Sequence, residues 1–158
     1  MGSNLGDRSL NLLRAINLLI DLECRIILQS STYKTSPVDN FDQPYFFNKV
    51  ILITTKLSPY NLLKNLKEIE QSMGRDIKNS HNLPRIIDID ILTFNDLAVN
   101  SSELVIPHPR ASERKFVMKP WLEIAPEYEF PGHSMSIKML YSACIRKNKH
   151  QKVEIVSN

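Results

Sequence analysis

The sequence predicts an α+β domain, a ferredoxin-like α/β sandwich in which helices pack on an antiparallel sheet. Two segments have the apolar periodicity of helices, and three others are runs of β-branched and aliphatic residues. Their order is helix, strand, strand, helix, strand, which is the βαββαβ order of a ferredoxin-like fold without its first strand. We therefore expect residues 1–158 to form a single domain, with a basic tail from about 146 to 158.

The first half of the chain contains two helices that flank two strands. Asp7 or Ser9 can cap the start of the first helix. Ser58-Pro59 is an N-cap followed by proline at the first helical position, and Gly74 is typical of the residue after a helix. The predicted elements are a helix over 7–22, a strand over 24–35, a loop over 36–45, a strand over 46–57 and a helix over 58–74.

The second half contains one clear strand and much predicted loop. The predicted elements are a polar loop over 75–84, a strand over 86–94, a turn at 95–96, extended structure over 97–106, a loop over 107–119, a short helix over 120–125 and an irregular end. The first strand of the fold lies inside the sheet, where its absence would leave backbone groups unpaired. Met1 to Asn4 stands where that strand would end, so we expect an upstream strand or another segment in its place.

The composition is that of an ordinary globular protein, with 42% hydrophobic and 23% charged residues. The net charge is +3 and the basic residues form no long stripe, which fits an anionic small molecule at least as well as nucleic acid as partner. The two cysteines are too few for a disulfide scaffold and lack metal-ligand spacing. No apolar run approaches the roughly 18 residues of a membrane span, and no secretory signal is recognisable. We expect a cytoplasmic monomer with no membrane or nucleic-acid partner.

Two aspartates interrupt the apolar run PRIIDIDIL, which begins at residue 84. Successive side chains of a strand point to opposite faces, so Asp88 and Asp90 share one face with carboxylates about 6–7 Å apart. Two like charges at that distance repel unless a cation lies between them. Magnesium is usually held by one or two carboxylates together with substrate phosphates, and the nearby Arg75, Lys78 and Arg85 would suit a triphosphate. The alternative is a pair of solvent-facing aspartates on a half-exposed strand.

A second polar cluster lies in the proline-flanked segment IPHPRASERKF, over 106–116. It supplies His108, Arg110, Arg114 and Lys115 on a stretch that suits neither a helix nor a strand. On such a loop a functional role for the histidine and a structural role are equally compatible with the sequence. The sequence has no glycine-rich phosphate loop, no nucleophile-elbow serine and no paired cysteine and histidine, so a nucleotide would be bound by side chains and metals.

Four motifs, in order along the chain, closely resemble the 6-hydroxymethyl-7,8-dihydropterin pyrophosphokinase family. They are GSNLGDR near the start, DQPYFFN over 42–48, PRIIDIDIL, and IPHPRASERKFVMKPWLEIAPE, and the resemblance runs from residue 2 to about 131. Enzymes of that family transfer a pyrophosphoryl group from ATP to a pterin alcohol and release AMP. The resemblance implies a ferredoxin-like fold, two Mg²⁺ ions, ATP as co-substrate and a polar loop that closes over ATP.

The resemblance also implies roles for individual residues of this chain. Asp88 and Asp90 fall on the magnesium-binding aspartates, and the catalytic positions that contact phosphate are Arg75 and Arg85. The other ATP-side positions are Glu70, Lys78, Ile91, His108 and Arg114. The pterin-side positions are Thr35, Ser36, Val38, Phe46, Asn48 and Phe116. Asn48 falls on the amide that reads the edge of the heterocycle, and the two phenylalanines border its flat ring. Simple core packing for Phe46 and a solvent-facing helix end for Glu70 are the alternatives.

The chain departs from the family pattern at three places. Asn82-Leu83 stands where the family usually has an aromatic residue and a glycine, and Pro109 stands where an aromatic residue is common. The family's first strand is absent apart from Met1, which we attribute to translation starting upstream or to a domain cut from a longer chain. The alternative function is a non-catalytic ferredoxin-like module that binds a ligand or RNA. An RNA-binding module would show an aromatic-rich strand motif, which this sequence lacks.

Overall fold

The computed structural model describes residues 1–38, 42–75 and 83–156, which fold into helices and antiparallel strands. The helices are α1 (Arg8–Asp21), α2 (Pro59–Ser72), α3 (Lys115–Ile124) and α4 (Ile137–Lys147), with a 3-10 turn at Ala111–Glu113. The strands are β1 (Gly2–Ser3), β2 (Arg25–Gln29), β3 (Tyr33–Thr35), β4 (Phe46–Asn48), β5 (Ile51–Thr54), β6 (Val99–Asn100), β7 (Val105–Ile106) and β8 (Val153–Ile155). This content of helices and strands confirms the predicted α+β class.

Every strand pair in the described chain is antiparallel. The main sheet has the order β1-β4-β3-β8, and two smaller ribbons pair β2 with β5 and β6 with β7. β4 therefore lies between β1 and β3, and the short β1 stands at one edge of the assigned sheet.

Strand β1 occupies the interior position of the sheet for which the sequence predicted no strand within this chain. Gly2 is paired with Asn48 of β4 on one side. On its other side Gly2 exchanges two backbone hydrogen bonds of 2.8 Å with Asp88. The end of a first strand is therefore present, since Gly2 and Ser3 connect β4 to the segment that carries Asp88.

The segment 86–94 is extended but is not a regular strand. Only Asp88 forms a ladder contact, the single bridge to Gly2, so the predicted continuous strand is wrong. The predicted alternation is confirmed, since the three isoleucines from 87 to 91 are buried whereas Asp88 is half-buried and Asp90 is exposed. The two carboxylates therefore face away from the core.

Both predicted long strands are broken at the same level of the fold. The segment 24–35 divides into β2 and β3, and the segment 46–57 divides into β4 and β5. At the break the Ser30 N–H donates to Val50 O at 2.9 Å, and the Ser30 hydroxyl accepts a hydrogen bond of 3.1 Å from the Val50 N–H. The serine side chain thus replaces a backbone partner where each strand passes from the main sheet into the β2-β5 ribbon.

The C-terminal third is more regular than the sequence predicted. The predicted loop over 107–119 contains the start of α3, and the predicted short helix is the second half of α3. Proline usually marks the first turn of a helix, but Pro120 lies inside α3. The expected irregular end is also wrong, because α4 forms and β8 is paired with β3.

The predicted helix caps are confirmed for α1 and α2. The Asp7 side chain accepts a hydrogen bond from the Leu10 N–H, and the Ser58 side chain accepts one from the Asn61 N–H. Gly74 follows α2 with φ +96°, a conformation that L side chains rarely adopt. This turn leads the chain from α2 to Arg75, which reaches Asp88.

The apolar interior has two parts. One packs α1 and α2 against the buried isoleucines of 87–91, and the other joins α3 to α4. A membrane span requires a long apolar helix, and none of the helices in the described ranges is of that kind.

Candidate active site

A cleft of about 430 Å³ collects most of the residues singled out from the sequence. Its wall is formed by β1, β4, α2, the segment 85–92 and the segment 108–117. Eleven predicted site residues line it, namely Ser36, Val38, Phe46, Asn48, Arg75, Arg85, Asp88, Asp90, His108, Arg114 and Phe116. Thr35, Glu70 and Ile91 are not among the lining residues, and Lys78 lies outside the described residues.

Asp88 is held by two arginines. Its Oδ1 atom accepts a hydrogen bond from Arg75 Nη1 at 2.6 Å, and its Oδ2 atom accepts one from Arg85 Nη1 at 2.7 Å. Burial opposes the charge of this carboxylate, but the guanidinium groups of Arg85 and Arg75 outweigh it and hold the pKa of Asp88 below its usual range. Asp88 is therefore ionised at neutral pH and aligns both arginines at one wall of the cleft.

Glu70 anchors Arg75 from the interior. Its side chain is fully buried, and its Oε1 atom accepts hydrogen bonds of 2.6 Å from Arg75 Nη1 and from the Ile89 N–H. Its Oε2 atom accepts a hydrogen bond of 3.0 Å from Lys67 Nζ. Burial raises the pKa of Glu70, against the lowering effects of Lys67, the Ile89 N–H and Arg75. The solvent-facing alternative for Glu70 is therefore wrong, and Glu70 acts on the cleft through Arg75 and Lys67.

Asp90 has different surroundings from Asp88, although the sequence places both on one face. Asp90 is exposed and lines the cleft. Within the described ranges its carboxylate makes no hydrogen bond or ion pair. Its oxygen atoms are therefore available to a ligand.

His108 is a neutral hydrogen-bond donor in the cleft. Its backbone N–H donates to Leu92 O at 2.8 Å, and its Nδ1 atom accepts a hydrogen bond of 3.2 Å from the Arg110 N–H. Burial lowers the pKa of His108, Asp90 raises it, and the charges of Arg114 and Arg110 lower it further. A neutral imidazole whose Nδ1 is an acceptor carries its proton on Nε2.

Two of the arginines that line the cleft each contain a guanidinium nitrogen without a partner among the described residues. The Nε atoms of Arg75 and Arg85 are buried and have no hydrogen-bond partner in the described part of the chain. A buried N–H without an acceptor is unfavourable. The backbone of Arg85 is held in place, because its N–H donates to Asn4 Oδ1 at 2.7 Å and its carbonyl accepts from the Asn4 N–H at 3.1 Å.

Another part of the cleft combines aromatic rings with an amide. Phe46 and Phe116 line it, and the guanidinium carbons of Arg85 and Arg114 lie 5.9 Å and 5.5 Å from the centres of these two rings respectively. Phe46 is half-buried and belongs to neither part of the apolar interior. Asn48 lines the same cleft. This combination suits a flat heterocycle bound next to an anion.

Sequence reasoning missed several residues of the cleft, among them Gly2, Gln43 and Lys67. Lys67 precedes Glu70 by three residues on α2, and this spacing of opposite charges was the available signal. Gly2 lies within the GSNLGDR motif, where a glycine indicates a close approach of the backbone. Gln43 Oε1 accepts a hydrogen bond of 3.0 Å from Asn4 Nδ2, a contact that no local pattern indicates.

Known proteins match this chain over most of its length. The model of the family described as 7,8-dihydro-6-hydroxymethylpterin-pyrophosphokinase (HPPK) matches residues 1–126. The 2-amino-4-hydroxy-6-hydroxymethyldihydropteridine pyrophosphokinase of Bacillus subtilis is 39% identical over 130 residues, covering 82% of this chain and 77% of that protein. The folic acid synthesis protein FOL1 of Dictyostelium discoideum is 42% identical over 130 residues, covering 82% of this chain and 20% of that protein. This chain thus spans about a fifth of the length of the folic acid synthesis proteins that it matches.

Solved structures show the same fold. The wild-type HPPK-DHPS of Plasmodium falciparum superposes with a TM-score of 0.73 at 18% identity, covering 94% of this chain and 44% of that one. This likeness supports the fold, whereas the family model and the Bacillus subtilis relative establish descent. The chain belongs to the 7,8-dihydro-6-hydroxymethylpterin-pyrophosphokinase family.

Proposed function

We propose that this chain transfers a pyrophosphoryl group from ATP to 6-hydroxymethyl-7,8-dihydropterin and releases AMP. The observation that carries the proposal is one cleft in which two carboxylates among arginines lie beside an amide and two aromatic rings. The charged group suits a polyphosphate with divalent cations, and the aromatic group suits a flat heterocycle. Family membership supports the same pair of substrates.

The phosphates of ATP would be bound by side chains. Arg75 and Arg85 are the catalytic candidates, because both line the cleft and their positive charge can stabilise the oxygens that gain charge during transfer. His108 can donate through Nε2–H, and Arg114 lines the same cleft. The Ile91 side chain is buried in the core, so we propose that this residue contacts ATP through its backbone.

Asp88 and Asp90 would hold magnesium. Both line the cleft and supply the oxygen donors that this ion prefers, and the carboxylate of Asp90 is uncommitted within the described chain. No cluster of three or more His, Cys, Asp or Glu side chains in the described ranges could hold a metal alone, which fits an ion shared between protein and phosphates. When bound, magnesium neutralises phosphate charge and polarises the phosphoryl oxygens. We propose two ions, as the family resemblance implies.

The pterin would lie against Asn48, Phe46 and Phe116. The amide can pair with donor and acceptor groups on the edge of the heterocycle, and the rings offer stacking surfaces. Ser36 and Val38 line the same cleft, so they stay predicted pterin-side residues.

The reaction that follows is an in-line transfer. The hydroxyl oxygen of the pterin forms a bond to the β-phosphorus of ATP, the bond from that phosphorus to the oxygen of the α-phosphate breaks, and AMP leaves. The proton of the hydroxyl group is released to solvent. The cleft residues contribute alignment and charge stabilisation, which supply most of the catalysis in phosphoryl transfer.

Nucleotide product analysis tests the proposal. The purified chain is mixed with ATP, magnesium and 6-hydroxymethyl-7,8-dihydropterin, and AMP should appear in step with pterin consumption. ADP formation would overturn the mechanism. Ligand binding without any AMP would favour the non-catalytic module. In Asn48→Ala, pterin binding should weaken far more than ATP binding.

Three finer features remain predictions that accompany this function. We propose a monomer, a cytoplasmic location and a ferredoxin-like arrangement of the sheet and helices. Lys78 remains a predicted ATP-side residue that lies outside the described residues.

A further inference from the structure

The side chain of Asn48 is held on one side by a residue that does not line the cleft. Asn48 lines the cleft but is only 7% exposed. Its Nδ2 atom donates a hydrogen bond of 2.7 Å to Thr35 Oγ1, and Thr35 is 1% exposed on the neighbouring strand β3. The Thr35 hydroxyl therefore contacts the amide from the interior and could influence a bound ligand only through it.

Gly2 bounds the same amide on another side. A Cβ atom placed on Gly2 would lie 2.5 Å from Asn48 Oδ1, a distance that real Cβ contacts do not show. Gly2 cannot easily move away, because β1 pairs it with Asn48 and two backbone hydrogen bonds of 2.8 Å tie it to Asp88. The amide oxygen thus occupies the space that any other residue at position 2 would fill.

We propose that Gly2 and Thr35 are positioning residues that form a carboxamide clamp, holding the plane of the Asn48 amide for recognition of the pterin edge. The inference rests on the proposed function, and it assigns the Thr35 side chain an indirect role. A hydrogen bond and a steric boundary together leave the amide one orientation before ligand arrives. Such preorganisation improves binding, because no rotational freedom of the amide has to be lost on association.

The clamp should affect binding of the pterin and leave binding of ATP unchanged. Thr35→Val keeps the shape of the side chain but leaves an amide hydrogen of Asn48 without its buried acceptor, which favours rotation of the amide. We expect the KM for the pterin to rise roughly tenfold while the KM for ATP stays unchanged. Thr35→Ser restores the hydroxyl and should restore the pterin KM. Gly2→Ala should raise the pterin KM in the same way, because its methyl group displaces the amide oxygen.

The matched control is Thr54→Val. Thr54 is an exposed threonine on β5, in the ribbon away from the cleft lining, so the same chemical change should leave both KM values as in the wild type. Equal rises of the pterin and ATP KM in Thr35→Val would mean a general disturbance of the fold and would overturn the clamp.

A second measurement separates the clamp from the proposed function. In the ligand-free protein, the NMR signals of the Asn48 side-chain NH₂ group should shift and exchange faster with water in Thr35→Val, and Thr35→Ser should reverse both effects. Unchanged Asn48 signals in Thr35→Val would overturn the clamp even if the wild type forms AMP. A wild type that forms no AMP while the Asn48 signals shift as expected would overturn the proposed function and leave the amide-holding geometry supported.

Discussion

Asp88 and Asp90 are two residues apart, yet they differ in exposure and in hydrogen-bond partners in the folded chain. Asp88 accepts hydrogen bonds from Arg75 and Arg85 at 2.6 and 2.7 Å, whereas Asp90 is exposed without a hydrogen-bond partner in the described ranges. Asp88 therefore contributes to the fold as well as to the cleft. Asp90 is available to a ligand alone.

Replacing each aspartate by asparagine should separate stability from activity. Asp90→Asn should abolish most AMP formation and change the free energy of unfolding by no more than about 0.5 kcal/mol. Asp88→Asn should also abolish most activity, but it should lower the free energy of unfolding by on the order of 2 kcal/mol, because two partly buried guanidinium groups lose a charged acceptor. Urea unfolding without ligands and the AMP assay measure the two effects.

Asp96→Asn is the control for this pair, since Asp96 is exposed in the turn after the segment 86–94. It should retain both stability and activity. Equal stability losses in Asp88→Asn and Asp90→Asn, or near-normal turnover of either variant at low magnesium, would contradict the division of roles.

The sequence predicted the face that these residues share but not their partners. Alternation along an extended segment is local, so the spacing of Asp88 and Asp90 was sufficient to place both away from the core. Arg75 pairs with Asp88 because the chain after α2 passes close to the segment 86–94. No local sequence pattern predicts that path. The same reason explains why Glu70 was placed near the nucleotide although it lies behind Arg75.

At the scale of elements, one carboxylate joins α3 to the break between β2 and β3. Glu123 Oε1 accepts hydrogen bonds from the Ser31 N–H at 2.9 Å and the Ser31 hydroxyl at 2.8 Å, and Oε2 accepts one from the Tyr33 hydroxyl at 2.8 Å. Burial opposes the charge of Glu123, but these hydrogen bonds outweigh it and lower the pKa of its carboxyl group. This contact connects the helix to the place where the long strand changes sheets.

Glu123→Gln should therefore destabilise the protein in a pH-dependent way. A folded-state pKa below the unfolded value of about 4.3 means that the carboxylate contributes stability above that pH and loses it as the pH falls through the folded pKa. Because Glu123 is exposed and water screens its contacts, we expect the variant to be less stable than the wild type by no more than about 0.5 kcal/mol at pH 7, with the difference shrinking in acid. Urea unfolding at several pH values gives this difference.

Glu127→Gln supplies the comparison for Glu123, because Glu127 is exposed just beyond α3 and no hydrogen bond or ion pair of the described chain involves it. It should match the wild type at every pH. A constant difference between wild type and Glu123→Gln from pH 7 into acid would show that the lost charge is not responsible.

Helix ends that are marked by a capping residue or a glycine were predicted correctly from the sequence. Strand breaks that have no such local marker were not predicted. Asp7, Ser58 and Gly74 mark helix ends through their own side chains or backbone freedom, so local sequence was sufficient. The strand breaks at Ser30 and Val50 depend on a serine hydroxyl that meets a backbone N–H from a distant segment. The tail was expected in solvent because its pairing with β3 depends on tertiary contact.

At the scale of the whole molecule, the cleft joins residues that are far apart in the chain. Strand β1, strand β4, the segment 85–92 and the segment 108–117 all contribute lining residues. The four motifs that resemble the pterin pyrophosphokinase family fall on these same segments, and eight of the eleven predicted lining residues lie within them. Gln43 and Lys67 were missed, since their place in the wall follows from packing.

The charge of the molecule is concentrated in this cleft. Among the residues that the structure describes, its lining includes six Lys and Arg side chains and two carboxylates, whereas the net charge of all 158 residues is +3. The rest of the surface is therefore close to neutral. A field focused in a cleft raises the local concentration of an oppositely charged ligand and weakens as salt screens it.

Raising the salt concentration should therefore weaken ATP binding much more than pterin binding. Raising NaCl from about 0.05 M to about 0.5 M at constant magnesium shortens the Debye length to a few ångströms, and we expect the Kd for ATP to rise roughly tenfold. The pterin is uncharged, so its Kd should change by less than about twofold, because amide contacts and ring stacking are not screened. Calorimetric titration of each ligand alone gives both values. Similar weakening of both ligands would mean that salt acts on the fold as a whole, and an ATP affinity insensitive to salt would mean that the phosphates do not bind among these cations.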